Sequence, residues 1–216
     1  MISRTRICSA IVLAAALAGC SREGELVVDQ GVGITAVLDS CPAVGIPDYT
    51  GDVTLFRQAG DVSASNLDMV ASITNLRHTC DDSGDRIYTN ASFDVQGRRL
   101  DTNGSRTVTL PYYATVMRGG TAVVSKRIGS VSLTFADGQD RAQASAQAGA
   151  YVDAAQAALP ADIREKITRR RRAGDPDAAL DPLADPEVRA AIQRTSFELL
   201  VGFQLTEDQL AYNATR

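Results

Sequence analysis

The strongest constraint on the fold is alternation with a period of two. Phe197, Leu199, Val201, Phe203 and Leu205 are apolar at every second position, the pattern of a half-buried β-strand, in which successive side chains point to opposite faces. Ile87, Thr89, Ala91, Phe93 and Val95 repeat it, with mostly polar residues between. Leu67, Met69, Ala71 and Ile73 form a third run, after which the apolar phase shifts to Leu76, His78 and Cys80. A one-residue shift of this kind predicts a β-bulge near Thr74 and Asn75.

Turn chemistry separates the runs. Asp81-Asp82-Ser83-Gly84-Asp85 has the composition of a hairpin connection, and Gly119-Gly120 that of a tight one. Between them, Val108, Leu110, Tyr112, Ala114 and Val116 share a face, and Pro111, on the other, suits an edge or a bulge rather than a central strand. After Ile128 the phase shifts across Gly129 to Val131, Leu133 and Phe135, which predicts a second bulge, and Asp137-Gly138 turns the chain again. Alternating alanines from Ala142 to Ala150 fit a return strand to about Val152, although alanine favours helix intrinsically. A helix over 152–159 competes with that strand.

The chain then changes character. Over 161–172 the apolar residues are Ile163 and Ile167, four apart, so a weakly amphipathic helix is expected, stopped by Gly174 and Pro176. Asp185-Pro186-Glu187 supplies an N-cap, a proline at the first helical position and an acid in the first turn. A second helix is expected over 186–194, the whole excursion having few core residues and forming a mobile arm. Thr206-Glu207-Asp208-Gln209 reads as a capping box opening a terminal helix.

At the other end, Arg4 and Arg6 precede an apolar run from Ile7 to Ala18. The run is too short to span a bilayer core, which takes about 20 apolar residues, and fits a secretory signal peptide. Its end, Leu17-Ala18-Gly19-Cys20, resembles the bacterial lipobox. The resemblance implies diacylglycerol on the Cys20 sulfur, cleavage before it and acylation of the new amine. More than one acyl chain gives stable anchoring, each buried CH2 contributing about 0.8 kcal/mol. Ser21 in the second position implies the outer membrane, with the domain facing the periplasm. The alternative is an uncleaved segment followed by a buried core cysteine.

Of four cysteines, Cys8 would leave with the signal peptide and Cys20 would carry lipid. Cys41 and Cys80 remain, and an even remainder in an exported chain reads as one disulfide, worth about 3 to 4 kcal/mol from loop-closure entropy. Two separate buried thiols are the other possibility. His78, the only histidine, is expected on the strand face opposite Cys80, so a shared metal is not expected.

Removing residues 1–19 takes away two arginines and no acid, which moves the formal charge from −4 to −6. An acidic domain gives no electrostatic reason to bind nucleic acid. Arg169, Arg170, Arg171 and Arg172 stand out against that charge. They could hold lipid phosphates, lipopolysaccharide or an acidic partner face. The acids just downstream, Asp175, Asp177, Asp181, Asp185 and Glu187, favour a neutralised, solvated run instead.

Catalytic signatures are sparse. A Ser-His-Asp or Cys-His set would have to use His78, beside a cysteine expected to be oxidised. Neither Lys126 nor Lys166 has a serine three positions before it, and no Gly-x-Ser-x-Gly, phosphate-cradling loop or His-Glu-x-x-His occurs. No cofactor is expected, and no metal at the Asp81–Asp85 turn, which lacks the spaced ligands of an EF-hand.

Cys41-Pro42, the Leu76-to-Cys80 strand, Leu110-Pro111-Tyr112-Tyr113, Lys126, Gly202-Phe203-Gln204-Leu205-Thr206 and Ala211-Tyr212-Asn213 resemble a family of small Gram-negative envelope lipoproteins without an assigned activity. The similarity spans most of the chain after Cys20 except 160–194. It implies a sandwich and a lipid anchor and no catalytic residue.

The expected organisation is a signal peptide at 1–19, a lipidated tether at 20–48, and an all-β, immunoglobulin- or fibronectin-like antiparallel sandwich of about seven strands over 49–159 and 195–205. A helical insertion at 160–194 and a short helix at 206–216 complete it. The expected function is that of a membrane-anchored, non-catalytic interaction or structural module holding an unknown envelope protein or glycolipid. A lipid or lipopolysaccharide carrier is the first alternative, and a hydrolase the second.

Overall fold

A computed structural model describes residues 35–216; Cys20 and the lipobox lie outside them. The described chain is mainly β, with two four-stranded sheets, one curled into a half-barrel, and helices towards the C-terminus. In chain order the elements are β1 (Ala43–Gly45), β2 (Asp52–Phe56), β3 (Leu67–Asp81), β4 (Arg86–Arg99), β5 (Arg106–Arg118), β6 (Ala122–Phe135) and β7 (Arg141–Asp153). Then come α1 (Ala154–Ala157), α2 (Ala161–Thr168), α3 (Pro186–Thr195), β8 (Phe197–Phe203) and α4 (Glu207–Thr215).

One sheet has the order β1-β8-β5-β6 and the other β2-β3-β4-β7. Eight strands are present among the described residues, against an expected number of about seven. Only β2–β3, β3–β4 and β5–β6 are consecutive neighbours in a sheet, so hairpins are the minority of the connections, contrary to expectation. β1 pairs parallel with β8 through Ala43↔Glu198, Val44↔Leu199 and Gly45↔Leu200, so the segment expected as tether to residue 48 is already part of the fold at Ala43.

The sheets share one core. Met69, Ile87, Phe93 and Val95 come to it from one sheet, and Leu133, Phe135, Leu199, Val201 and Phe203 from the other, all nearly inaccessible to solvent. These are the alternating positions that the sequence marks. The phase shift in β3 is a bulge: register jumps between Thr74 and Arg77, and Asn75 takes φ 52°. The alanine-rich stretch is the strand β7, paired with β4 along its whole length. Asp153 then caps α1 by accepting from the backbone N–H of Ala155 and Gln156.

Two expectations on β5 and β6 fail. Register runs unbroken through Tyr112↔Gly129 and Tyr113↔Ile128, and the bulge lies instead between Val116 and Met117. Ile128 misleads because it is simply exposed. Pro111 lies on an interior strand, yet its missing N–H does little harm. Its carbonyl accepts from Gln204 N–H just beyond the last β5–β8 pair, Tyr112↔Phe203, so the lost donor falls where that ladder is ending. Gly119 and Gly120 take φ 60° and 70° in the three-residue β5–β6 turn, 119–121, a left-handed backbone that glycine adopts without steric cost.

Within the excursion, Ile163 and Ile167 of α2 meet Val188 and Ala191 of α3 in a small core of their own, more burial than the sequence suggests. The Lys166 ammonium donates to the Asp185 carboxylate, which also caps α3 at Glu187 N–H. Arg118 Nε donates to the Arg194 carbonyl at 2.7 Å, and Gly119 N–H to Ser196 O at 2.9 Å, which joins the end of α3 to the β5–β6 turn. The segment Arg169–Asp181 falls outside the compact unit that holds the two sheets. The terminal helix has the predicted capping box between Thr206 and Gln209. Its buried Asn213 donates to the carbonyls of Tyr49 and Asp52, each at 2.8 Å.

Candidate functional site

Cys41 and Cys80 form a disulfide. It joins the segment ahead of β1 to the end of β3 and forms part of one wall of a cleft of about 450 Å³. Ile87, Ala157, Leu159 and Phe197 give the cleft an apolar part, and Arg164 and Glu198 bring opposite charges to it. Such a volume falls in the range of small-molecule sites. At the rim, Ser40 Oγ donates to Asp82 Oδ2 at 2.8 Å, and the Cys41 N–H to Asp39 Oδ1 at 3.0 Å. Asp39, Cys41 and Asp82 bring their ligand atoms within 4.8 Å of one another. The Cys41 sulfur is spent in the disulfide, so two exposed carboxylates are left, well short of the six to eight oxygens that calcium takes.

His78 is exposed on β3. Two positions from Cys80 on the same strand, it shares the face of that cysteine, contrary to the expected opposite orientation: their register partners Ala91 and Thr89 are both fully buried. A second hollow, of about 240 Å³, opens at the β3 bulge. There Asp94 accepts from Ser145 Oγ at 2.7 Å and from Asn75 Nδ2 at 2.9 Å. These two bonds, with the nearby Arg77 guanidinium, hold its carboxyl below the usual range. The lining residues carry no imidazole or amine to take a proton from the Ser145 hydroxyl.

The four arginines do not act alike. Arg169 and Arg171 both donate to Asp177 Oδ2, and Arg171 is buried. The pair pulls the Asp177 carboxyl down. Asp175 accepts from the Arg172 backbone N–H at 2.9 Å. Part of the run is thus tied up by the downstream acids, and Arg170 and Arg172 are exposed.

The first half of β6 is open. From Ala122 to Ile128 every residue is exposed, on both faces of the strand. Among the described residues β6 ends its sheet, with β5 as its one hydrogen-bonded neighbour. Val123, Val124 and Ile128 are 63, 54 and 58% exposed. Natural sheets usually blunt such an edge with charge, bulges or cover; here a bulge and two bases, Lys126 and Arg127, accompany three large apolar side chains.

No protein-family model, curated protein or solved structure matches the chain. Among the described residues, no helix is long and apolar enough to cross a membrane. Sequence pattern brought out the disulfide and the arginine run. It missed the β6 edge, because alternation shows which face of a strand is apolar and not whether its edge is paired.

Proposed function

We propose that the protein is a lipid-anchored module of the bacterial cell envelope, outer membrane and periplasm, that holds a partner without chemistry of its own. The lipobox ending at Cys20 supports the anchor. The observation that carries the interaction is the edge of β6, unpaired among the described residues and exposed at seven successive positions, since an open row of backbone donors and acceptors is a template for another chain.

We also infer an immunoglobulin-like sandwich. In that fold strand B neighbours E in one sheet while C neighbours F in the other. Here β4 neighbours β7 and β5 neighbours β8, so β4, β5, β7 and β8 stand for B, C, E and F, and β6 for C′. β1 lies beside β8 in the place of G. Strand D has no counterpart among the described residues.

The test is crosslinking in intact cells with two variants beside the wild type, Cys20→Ala and a chain lacking residues 161–193. The anchored-module reading expects one specific envelope component to be captured, and fractionation to lose the membrane association of Cys20→Ala. Capture of nothing specific, or unchanged membrane association of Cys20→Ala, overturns it. Loss of capture with the deletion would move the contact to the arginine-bearing excursion.

A further inference from the structure

The backbone of β6 can be oriented from its neighbours. Gly119 N–H donates to Ser196 O, and Gln204 N–H to Pro111 O, so odd-numbered positions of β5 turn their backbone groups towards β8. In an antiparallel ladder each residue directs its N–H and C=O to the same side. Even positions of β5 therefore face β6, where Tyr112, Ala114 and Val116 pair with Gly129, Arg127 and Ser125. It follows that Lys126 and Ile128 turn both backbone groups to the free edge.

Charge selects what can sit there. From Thr102 to Ala136 the chain carries Arg106, Arg118, Lys126 and Arg127 and no acid, although the whole chain is formally −4. Arg106 is paired with Asp68, and Arg118 is engaged with the Arg194 carbonyl. Lys126 and Arg127 make no ion pair among the described residues. Being consecutive, they project to opposite faces of the strand, Lys126 over the ring of Tyr113 at 4.9 Å and Arg127 on the side of its register partner Ala114. Val123 and Val124 precede this basic pair, and Ile128 follows it.

The geometry points to strand addition at β6 by an extended partner segment that carries two consecutive acids between apolar residues. This rests on the interaction reading above and names its surface and partner chemistry. The added strand would bond to the backbone of Lys126 and Ile128. One acid would meet Lys126 on one face and the other Arg127 on the opposite face, with apolar neighbours over Val124 and Ile128. The same two bases set against one another oppose edge-to-edge pairing of two copies, which makes an acidic partner the better occupant.

The experiment uses the full lipidated chain in detergent micelles and a nine-residue peptide with two adjacent glutamates flanked by alternating valine and threonine. A peptide with two lysines in their place is the comparison. The expected result is binding of the glutamate peptide, at least tenfold weaker binding of the lysine peptide, and hydrogen-exchange protection appearing at the Lys126 and Ile128 amides. Ile128→Pro, which removes an outward donor and no backbone bond among the described residues, should lower binding at least tenfold with an unchanged melting midpoint. The double variant K126E/R127E should reverse the peptide preference, and it keeps the test decisive should Ile128→Pro fold poorly. Equal binding of both peptides, protection confined to other strands, or self-association that Ile128→Pro abolishes would each overturn the inference. In cells, a partner captured equally by wild type and Ile128→Pro would sink this inference and leave the anchored-module reading standing. Absence of any captured partner would sink that reading even if the peptide bound in vitro.

Discussion

The ring of Tyr112 lies against Gly129, its register partner on β6: a Cβ at Gly129 would sit 2.4 Å from Tyr112 Cζ. The glycine is there for the ring. Tyr112 OH donates to the Gln147 carbonyl of β7 at 2.8 Å, and the ring meets Phe93 of β4 edge-on at 5.2 Å. One side chain thus ties two neighbouring strands of the opposite sheet, β4 and β7, to the β5–β6 hairpin, and its burial raises the phenol pKa.

Gly129→Ala should therefore destabilise the fold by about 1 to 3 kcal/mol, the usual cost of overpacking, although alanine ordinarily improves on glycine in a strand. Tyr112→Phe should cost about 1 kcal/mol for one hydrogen bond. In a double-mutant cycle followed by urea unfolding, Tyr112→Ala should abolish the penalty of Gly129→Ala. An additive cycle would show that the ring and the glycine do not oppose each other.

Arg99 is 2% exposed and makes no ion pair among the described residues. Its guanidinium donates to four backbone carbonyls, those of Gln139, Thr102, Gly104 and Ala136, at 2.8 to 3.0 Å. It gathers the β4–β5 and β6–β7 loops around one planar fork. Arg99→Met should cost about 1 to 3 kcal/mol through carbonyls left without a donor, and Arg99→Lys should not rescue it, because an ammonium cannot span the four acceptors. Amide exchange in residues 101–104 and 136–140 should quicken in both variants; unchanged exchange there would count against the role.

Asp68 accepts from both Nη atoms of Arg106, each at 2.7 Å, and this pairing holds its carboxyl below the usual range. A depressed acid contributes stability above its unfolded pKa, near 3.9, and that stability is lost as pH falls through the lower folded value. Urea midpoints should thus fall from about pH 4 downward, and Asp68→Asn should lower the neutral value and flatten the acid slope. Asp94 and Asp177 shift in the same direction, but their surface positions give them less weight, so a reduced slope should persist. An acid limb identical in Asp68→Asn and wild type would refute the assignment.

What the sequence could show follows from what alternation measures. Phe93, Val95, Leu199 and Val201 announce themselves because burial on one face repeats every two residues. The β3 bulge is legible because Leu76 and Cys80 on the shifted phase pack against the core as well. Gly129 gave a false bulge because Ile128 is apolar and exposed, and pattern alone cannot separate that case from a change of phase. Arg99 occupies an inward position and reads as outward, since its carbonyl partners lie up to 40 residues away. β1 has three residues, too few for a period. The disulfide was a matter of counting; the open edge of β6 required knowing which strands are neighbours.

The Cys41–Cys80 bond also settles how the fold would bear a load. Any pull on the chain ahead of Cys41 passes through a covalent link into β3, a 15-residue strand paired with β4 over most of its length. Without that link, the same pull would reach the three-residue β1 and its short parallel ladder to β8 first. The disulfide thus diverts tension past the shortest strand pairing among the described residues and spreads it over one of the longest.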